Sequence, residues 1–296
     1  ALQLDPLSLS RHAALGDYLG KENGKTDEVR LMIHGIQELF DDAESYRVVA
    51  WLHELIGELD IAIAWTLRAR DLEPDNPDHL AKLANLFAII GDFETAQRLE
   101  SSPGLGLLFQ LRRYAELIDI AEFRMIDQPN DVEVRYLLAF AYVANRQFES
   151  AIHVLSSTGL PETAINFEVR SVSEIEAFTT LINALAGAGT PETTTLAQSL
   201  AQWQEDLLWW GDIGWVALFR SCNFAILGRH DEALNSLARI AESPRFQRDP
   251  LLRDHWCFRQ YQADPRYQAV LREQDERRER LREKLPATLA EFGVSL

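Results

Sequence analysis

Sulfur is scarce in this chain, with two cysteines and two methionines among 296 residues. At most one disulfide can form, so Cys222 and Cys257, 35 residues apart, are either bonded to each other or left as two buried thiols. Long apolar runs are missing too. A membrane-crossing helix needs about 18 consecutive apolar residues, and runs such as Leu137–Ala144 are the length of core helices. No signal-peptide pattern opens the chain. Cations are in deficit, 29 Lys and Arg against 46 Asp and Glu, a net charge of −17. Such a surface repels phosphate backbones and anionic lipid, which argues against direct nucleic-acid binding and membrane insertion.

Chemistry-bearing constellations are also wanting. His53-Glu54 is followed at the position of a second zinc ligand by Gly57. His255 and Cys257 supply two ligands where a metal needs three or four. Gly104-Leu-Gly106 lacks the strand and helix of a phosphate loop, and Ser221-Cys222 has no general base beside it in sequence. The expectation is a chain with no catalytic residue, no metal and no cofactor.

What is present is periodicity. Val49-Ala50, Gly57, Leu59 and Ala62 return 34 residues later as Leu83-Ala84, Gly91, Phe93 and Ala96, and Leu15-Gly16 stands 34 residues before the first copy. A period of that length with small residues at fixed offsets predicts stacked helix pairs whose backbones approach through Ala50 and Ala62. Apolar residues are 47% and charged residues 25% of the chain, enough to fill such a core. The charge is uneven. Residues 241–296 hold 11 Lys and Arg against 10 Asp and Glu, which leaves 18 against 36 on residues 1–240.

Helix ends are legible. Asn76-Pro77-Asp78, Thr190-Pro191-Glu192 and Asp264-Pro265 each read as a cap followed by a first-turn proline. Gly57, Gly91 and Gly228 stand where a left-handed residue ends a helix. After Gly91 the register degrades, with a short helix over Leu105–Leu111 and another over Tyr114–Ile126. Leu138-Ala139 and Ala151 mark a better copy, and a longer connection covers 156–173. Glu174–Ala186 with Pro191–Gln204 reads as a divergent pair, and Trp215–Ile240 as the last good copy. There Arg220 takes a usually apolar position, read as a snorkelling cation in preference to a buried ion pair. Trp203, Trp209, Trp210 and Trp215 are read as plugging the joint before that copy, in preference to an exposed docking surface or dimer contact. Pro265–Leu285 is expected to cap the stack and stop at Pro286, its Glu273–Lys284 charge run forming a solvated face.

The positions Tyr46, Val49, Ala50, Gly57, Ala62, Ala69 and Pro74 resemble the tetratricopeptide repeat. The resemblance implies an all-α fold: a right-handed superhelical solenoid of antiparallel helix pairs with a C-terminal capping helix. About six pairs would occupy residues 1–240, some divergent, and 241–296 would form capping helices of the same continuous domain. It also implies a concave groove for a protein or peptide partner, lined by Arg47, Trp51 and Glu54, then Lys82 and Asn85, then Tyr136 and Phe140. Packing of Trp51 and Phe140 against the next repeat is the equal alternative. Ala81 stands where a chaperone-type carboxylate clamp has its lysine.

The closing phrase Asp264-Pro-Arg-Tyr-Gln-Ala-Val-Leu271 resembles tetratricopeptide domains of bacterial signalling proteins, in which a winged-helix regulator or a nucleotide cyclase lies upstream. The chain, beginning as if inside a repeat, reads as a fragment. Two expectations follow: a non-catalytic scaffold that binds a partner segment, or the regulatory part of a larger protein, with a small-molecule or redox input through Cys222 and Cys257. Membrane-anchored relatives would place it in the periplasm; an acidic array fits the cytoplasm as well.

Overall fold

The computed structural model describes residues 9–22, 25–156, 172–207, 214–243 and 249–296, and every regular element among them is helical. The first half of the chain gives α1 (Leu9–Glu22), α2 (Thr26–Leu39), α3 (Ala43–Leu55), α4 (Leu59–Leu72), α5 (Pro77–Ile89), α6 (Phe93–Leu99), α7 (Leu105–Gln110), α8 (Tyr114–Asp127), α9 (Val132–Ala144) and α10 (Phe148–Ser156). The second half gives α11 (Val172–Ala188), α12 (Pro191–Leu207), α13 (Gly214–Ile226), α14 (His230–Glu242), α15 (Asp249–Arg253), a 3-10 turn (Trp256–Tyr261) and α16 (Pro265–Phe292). Neighbours pack in pairs: α3 on α4, α8 on α9, α11 on α12 and α13 on α14.

Local chemistry explains where these helices begin. Asp42 caps α3 by accepting the Ser45 N–H at 2.7 Å, while the Ser45 hydroxyl oxygen accepts the Asp42 N–H at 3.2 Å. Asn76 and Asp264 accept from Asp78 and Arg266 at 3.1 and 2.8 Å, so both expected cap–proline starts are present. Thr190 accepts from the Thr193 N–H at 3.2 Å ahead of α12.

The turns between paired helices carry one hydrogen-bonding pattern. At Gly57, Gly91 and Gly228 the backbone is left-handed, with φ of 79°, 81° and 74°, and the next residue donates to a carbonyl five positions back. Asp92 N–H to Phe87 O at 2.9 Å is one instance. Arg112 and Arg146 adopt the same conformation, φ 58° and 62°, with Arg113 N–H to Leu108 O at 3.0 Å and Gln147 N–H to Tyr142 O at 2.8 Å. The step is therefore 34 from residue 57 to 91, 21 from 91 to 112, and 34 again from 112 to 146. What reads as a degraded register is a loss of 13 residues (34 less 21), taken from α6 and α7, which are seven and six residues long. α7 still bridges α5 and α9, so the succession of helices is not interrupted.

The C-terminal helix reaches beyond its immediate neighbours. α16 packs on α14 and also on α4, far earlier in the chain, so contacts are not confined to adjacent repeats. Thr288 donates to the buried carboxylate of Asp60 at 2.6 Å, and Lys284 pairs with the same group at 2.9 Å. Arg278 and Arg282 donate to Ile89 O and Ile90 O at 3.0 and 2.7 Å, satisfying carbonyls that the end of α5 leaves open. Phe292 meets Trp65 edge to face at 5.5 Å, with the Arg68 guanidinium 4.9 Å from the Trp65 ring. Pro286 does not end the helix as expected. It removes one intrahelical hydrogen bond, but Leu285 and Leu289 seat on the core beside α4 and hold the helix to Gly293, which closes it at φ 65°. The charge run expected on a solvated face has two buried members, Gln274 and Arg278.

Candidate functional site

The groove residues divide. Arg47 and Glu54 stand on α3 with Trp51, and Lys82 and Asn85 on α5. Arg47 is exposed and the other four are partly buried. The Lys82 ammonium pairs with the Glu54 carboxylate, tying the two helices together. Asn85 donates to Ala81 O at 2.9 Å, and its amide also packs against Gly106 of α7, where an added Cβ would meet it at 3.3 Å. Trp51 packs on the cluster formed by Val49, Leu52 and Ile36 while keeping part of its ring in solvent.

Tyr136 and Phe140 are elsewhere. Their exposures are 1% and 0%, and Phe140 lies 5.0 Å from the rings of both Phe109 and His255 and 6.3 Å from Tyr136. These two rings fill the core under α9 and are closed to a partner. Phe109 of the short α7 covers both, its ring 6.4 Å from that of Tyr136.

Behind Phe140 lies a second constellation. Cys222 of α13 and Cys257 of the 3-10 turn form a disulfide, their Cα atoms 5.5 Å apart. Asn183 of α11 sits between them, donating to Cys222 Sγ at 3.0 Å and accepting from the Cys257 N–H at 2.8 Å. His255 is buried beside them; desolvation pushes its pKa down to about 3, so the ring is neutral. His255 and Cys257 are close in sequence, but Cys222 reaches them only through the packing of α13 on the 3-10 turn, a contact that no local motif announces.

A third feature had no counterpart in the sequence reading. A cavity of about 300 Å³ opens beside Gly91 between Phe93, Asp249, Arg253, Asp275, Arg278 and Arg282. Two of its guanidinium groups are matched by carboxylates, Arg253 to Asp249 and Asp275 at 2.7 Å each and Arg278 to the same two at 3.1 and 3.0 Å, and Arg282 donates to Ile90 O.

The remaining singled-out residues have structural partners. His53 Nδ1 lies 2.7 Å from Glu58 Oε2, and Glu58 also accepts from Arg30 at 2.8 Å. Hydrogen bonding from His53 and then Arg30 holds the Glu58 carboxyl down at about 2, against the opposing effect of burial. The Ser221 hydroxyl donates to Ala233 O at 2.7 Å. Arg220, expected to snorkel, instead forms an ion pair with the mostly buried Glu205, Nε to Oε1 2.8 Å. Trp203 packs on Phe178 at 5.0 Å, whereas Trp209 and Trp210, and the side chain of Trp215, lie outside the described residues.

No protein-family model matches this chain, and no curated protein matches it.

Proposed function

We propose that the chain is a non-catalytic, tetratricopeptide-like interaction module, a right-handed superhelix that holds a segment of a protein partner against α3 and α5. One observation carries this reading: Arg47, Trp51, Glu54, Lys82 and Asn85 gather on α3 and α5, which the Lys82–Glu54 pair ties together, with part of each left accessible. A partly buried indole flanked by cations and an amide suits an extended peptide, since the ring buries large area at small entropic cost. Tyr136 and Phe140 are not part of this surface. Selection of displayed random peptides on the parent chain should return binders that Trp51→Ala no longer retains, with the circular dichroism unchanged. Binders indifferent to both Trp51→Ala and Arg47→Glu would sink the reading.

The bonded cysteines favour a second reading, that of a redox-responsive regulatory part of a larger bacterial signalling protein kept in an oxidising compartment. Counting free thiols in protein taken from its native compartment tests it, and two free thiols there would remove it.

A further inference from the structure

Three soft donor atoms converge in the core next to Phe140. Cys222 Sγ, Cys257 Sγ and a ring nitrogen of His255 all lie within 4.8 Å of one another, and all three residues are buried. The disulfide accounts for the two sulfurs and not for the imidazole. His255 is 1% exposed, yet neither Nδ1 nor Nε2 has a hydrogen-bond partner. A buried imidazole with both nitrogens unmatched has given up its hydrogen bonds to water for nothing in return. The aromatic walls, Phe140 at 5.0 Å and Phe258 at 6.2 Å between ring centroids, offer no donor or acceptor. Asn183, bonded to Cys222 Sγ and to the Cys257 N–H, orients both cysteines as an outer shell would.

We propose that the reduced form of this cluster binds a thiophilic d10 cation, Zn2+ or Cu+, through Cys222 Sγ, Cys257 Sγ and one nitrogen of His255. Thiolate and imidazole are the ligands those ions prefer. The reductant is a dithiol. It gives two electrons and two protons to the Cys222–Cys257 bond, leaves as its own disulfide, and the cation then displaces both thiol protons to water. Metal–sulfur bonds of about 2.3 Å set the two sulfurs about 3.8 Å apart at a tetrahedral angle. That spacing lies inside the 4.8 Å within which all three donors already stand, so assembly needs the bonded sulfurs to part. No fourth His, Cys, Asp or Glu joins the cluster among the described residues. Three donors complete the coordination of Cu+ and leave Zn2+ an open position.

The test uses the full chain, reduced with a dithiol, desalted without oxygen, and titrated with Zn2+ and with Cu+ against a chromophoric chelator. One ion per chain, release of two protons and a near-ultraviolet sulfur-to-metal band are expected from at least one of the two ions. His255→Phe should weaken binding by at least about tenfold while still forming the disulfide on oxidation. Cys222→Ser and the oxidised parent should not bind. Failure of both ions to bind the reduced parent tighter than about micromolar, or equal affinity in His255→Phe, would overturn the site. If reduction itself unfolds the chain, recovery of the helical signal on adding either ion supports the proposal, and no recovery overturns it. The surface on α3 and α5 is independent of this cluster, so Trp51→Ala should leave the titration unchanged.

Discussion

Residues 43–99 and 105–156 are built on the same step and look unlike in sequence. The first stretch turns at Gly57 and Gly91, where a left-handed backbone costs nothing in side-chain sterics. The second turns at Arg112 and Arg146, in the same conformation with a Cβ present, at a cost of about 1–2 kcal/mol each. Arg112 recovers part of that cost. Its Nε donates to Asp254 at 2.6 Å, and the carboxylate raises the guanidinium pKa further above its ordinary value. The comparison teaches that a repeat is kept by the backbone path and its hydrogen bonds, and that a glycine is only the least costly way to follow it.

Trp51 of the first stretch and Phe140 of the second are buried to different depths, and here the largest effect is expected. Phe140→Ala should lower the unfolding free energy in urea by about 3–5 kcal/mol, as for an enclosed core ring. Trp51→Ala, on a partly buried ring, should cost about 1–2 kcal/mol. Equal losses would erase the distinction between a core ring and a surface ring.

Gly91 and Asp60 sharpen the contrast, because both depend on α16. A Cβ at Gly91 would be strained at φ 81° and would meet Arg282 Nη1 at 2.7 Å. Gly91→Ala should therefore cost about 1–3 kcal/mol, with protection from hydrogen exchange lost along Arg278–Phe292 first. Thr288→Val should cost about 1–2 kcal/mol by withdrawing the hydroxyl from the buried Asp60 carboxylate.

The arginine turns supply a prediction of opposite sign. Arg146→Gly should stabilise the protein by about 1 kcal/mol, whereas Arg112→Gly should be close to neutral because it gives up Asp254. Thermal melts of the two variants would separate them. Two destabilised variants would show that the side chains, not the backbone, hold those turns.

The smallest effect belongs to Glu58 in the first stretch. Its folded pKa, down at about 2, lies below the ordinary value of 4.5, so its contribution is full above that value and is lost as pH falls from 4.5 towards 2. In Glu58→Gln that part of the acid slope should disappear, and the difference should stay below about 1 kcal/mol because the pair is partly solvated. Urea midpoints at pH 5 and pH 3 would measure it.

Legibility followed the range of the forces. Asn76-Pro77, Asp264-Pro265 and the glycine turns act over a few residues, and each lies where the spacing predicts. Arg220 did not yield to the same reading, since its partner Glu205 comes from another helix. Pro286 also misled: its local cost is real, but the seat of Leu285 and Leu289 beside α4 outweighs it. Of the groove, the residues on α3 and α5 keep accessible surface, while Phe109 packs on both Tyr136 and Phe140, and His255 on Phe140, partners that come from other elements.

The chain by itself determined its helical class, the ends of most helices, the pairing step and the acidity of its body, since caps, small residues and net charge act without reference to distant partners. Tertiary structure alone decided that α16 returns to α4, that Phe140 is enclosed, and that Cys222, His255 and Cys257 meet. Those outcomes depend on which apolar face covers which, and a residue carries no local mark of the surface that will pack upon it.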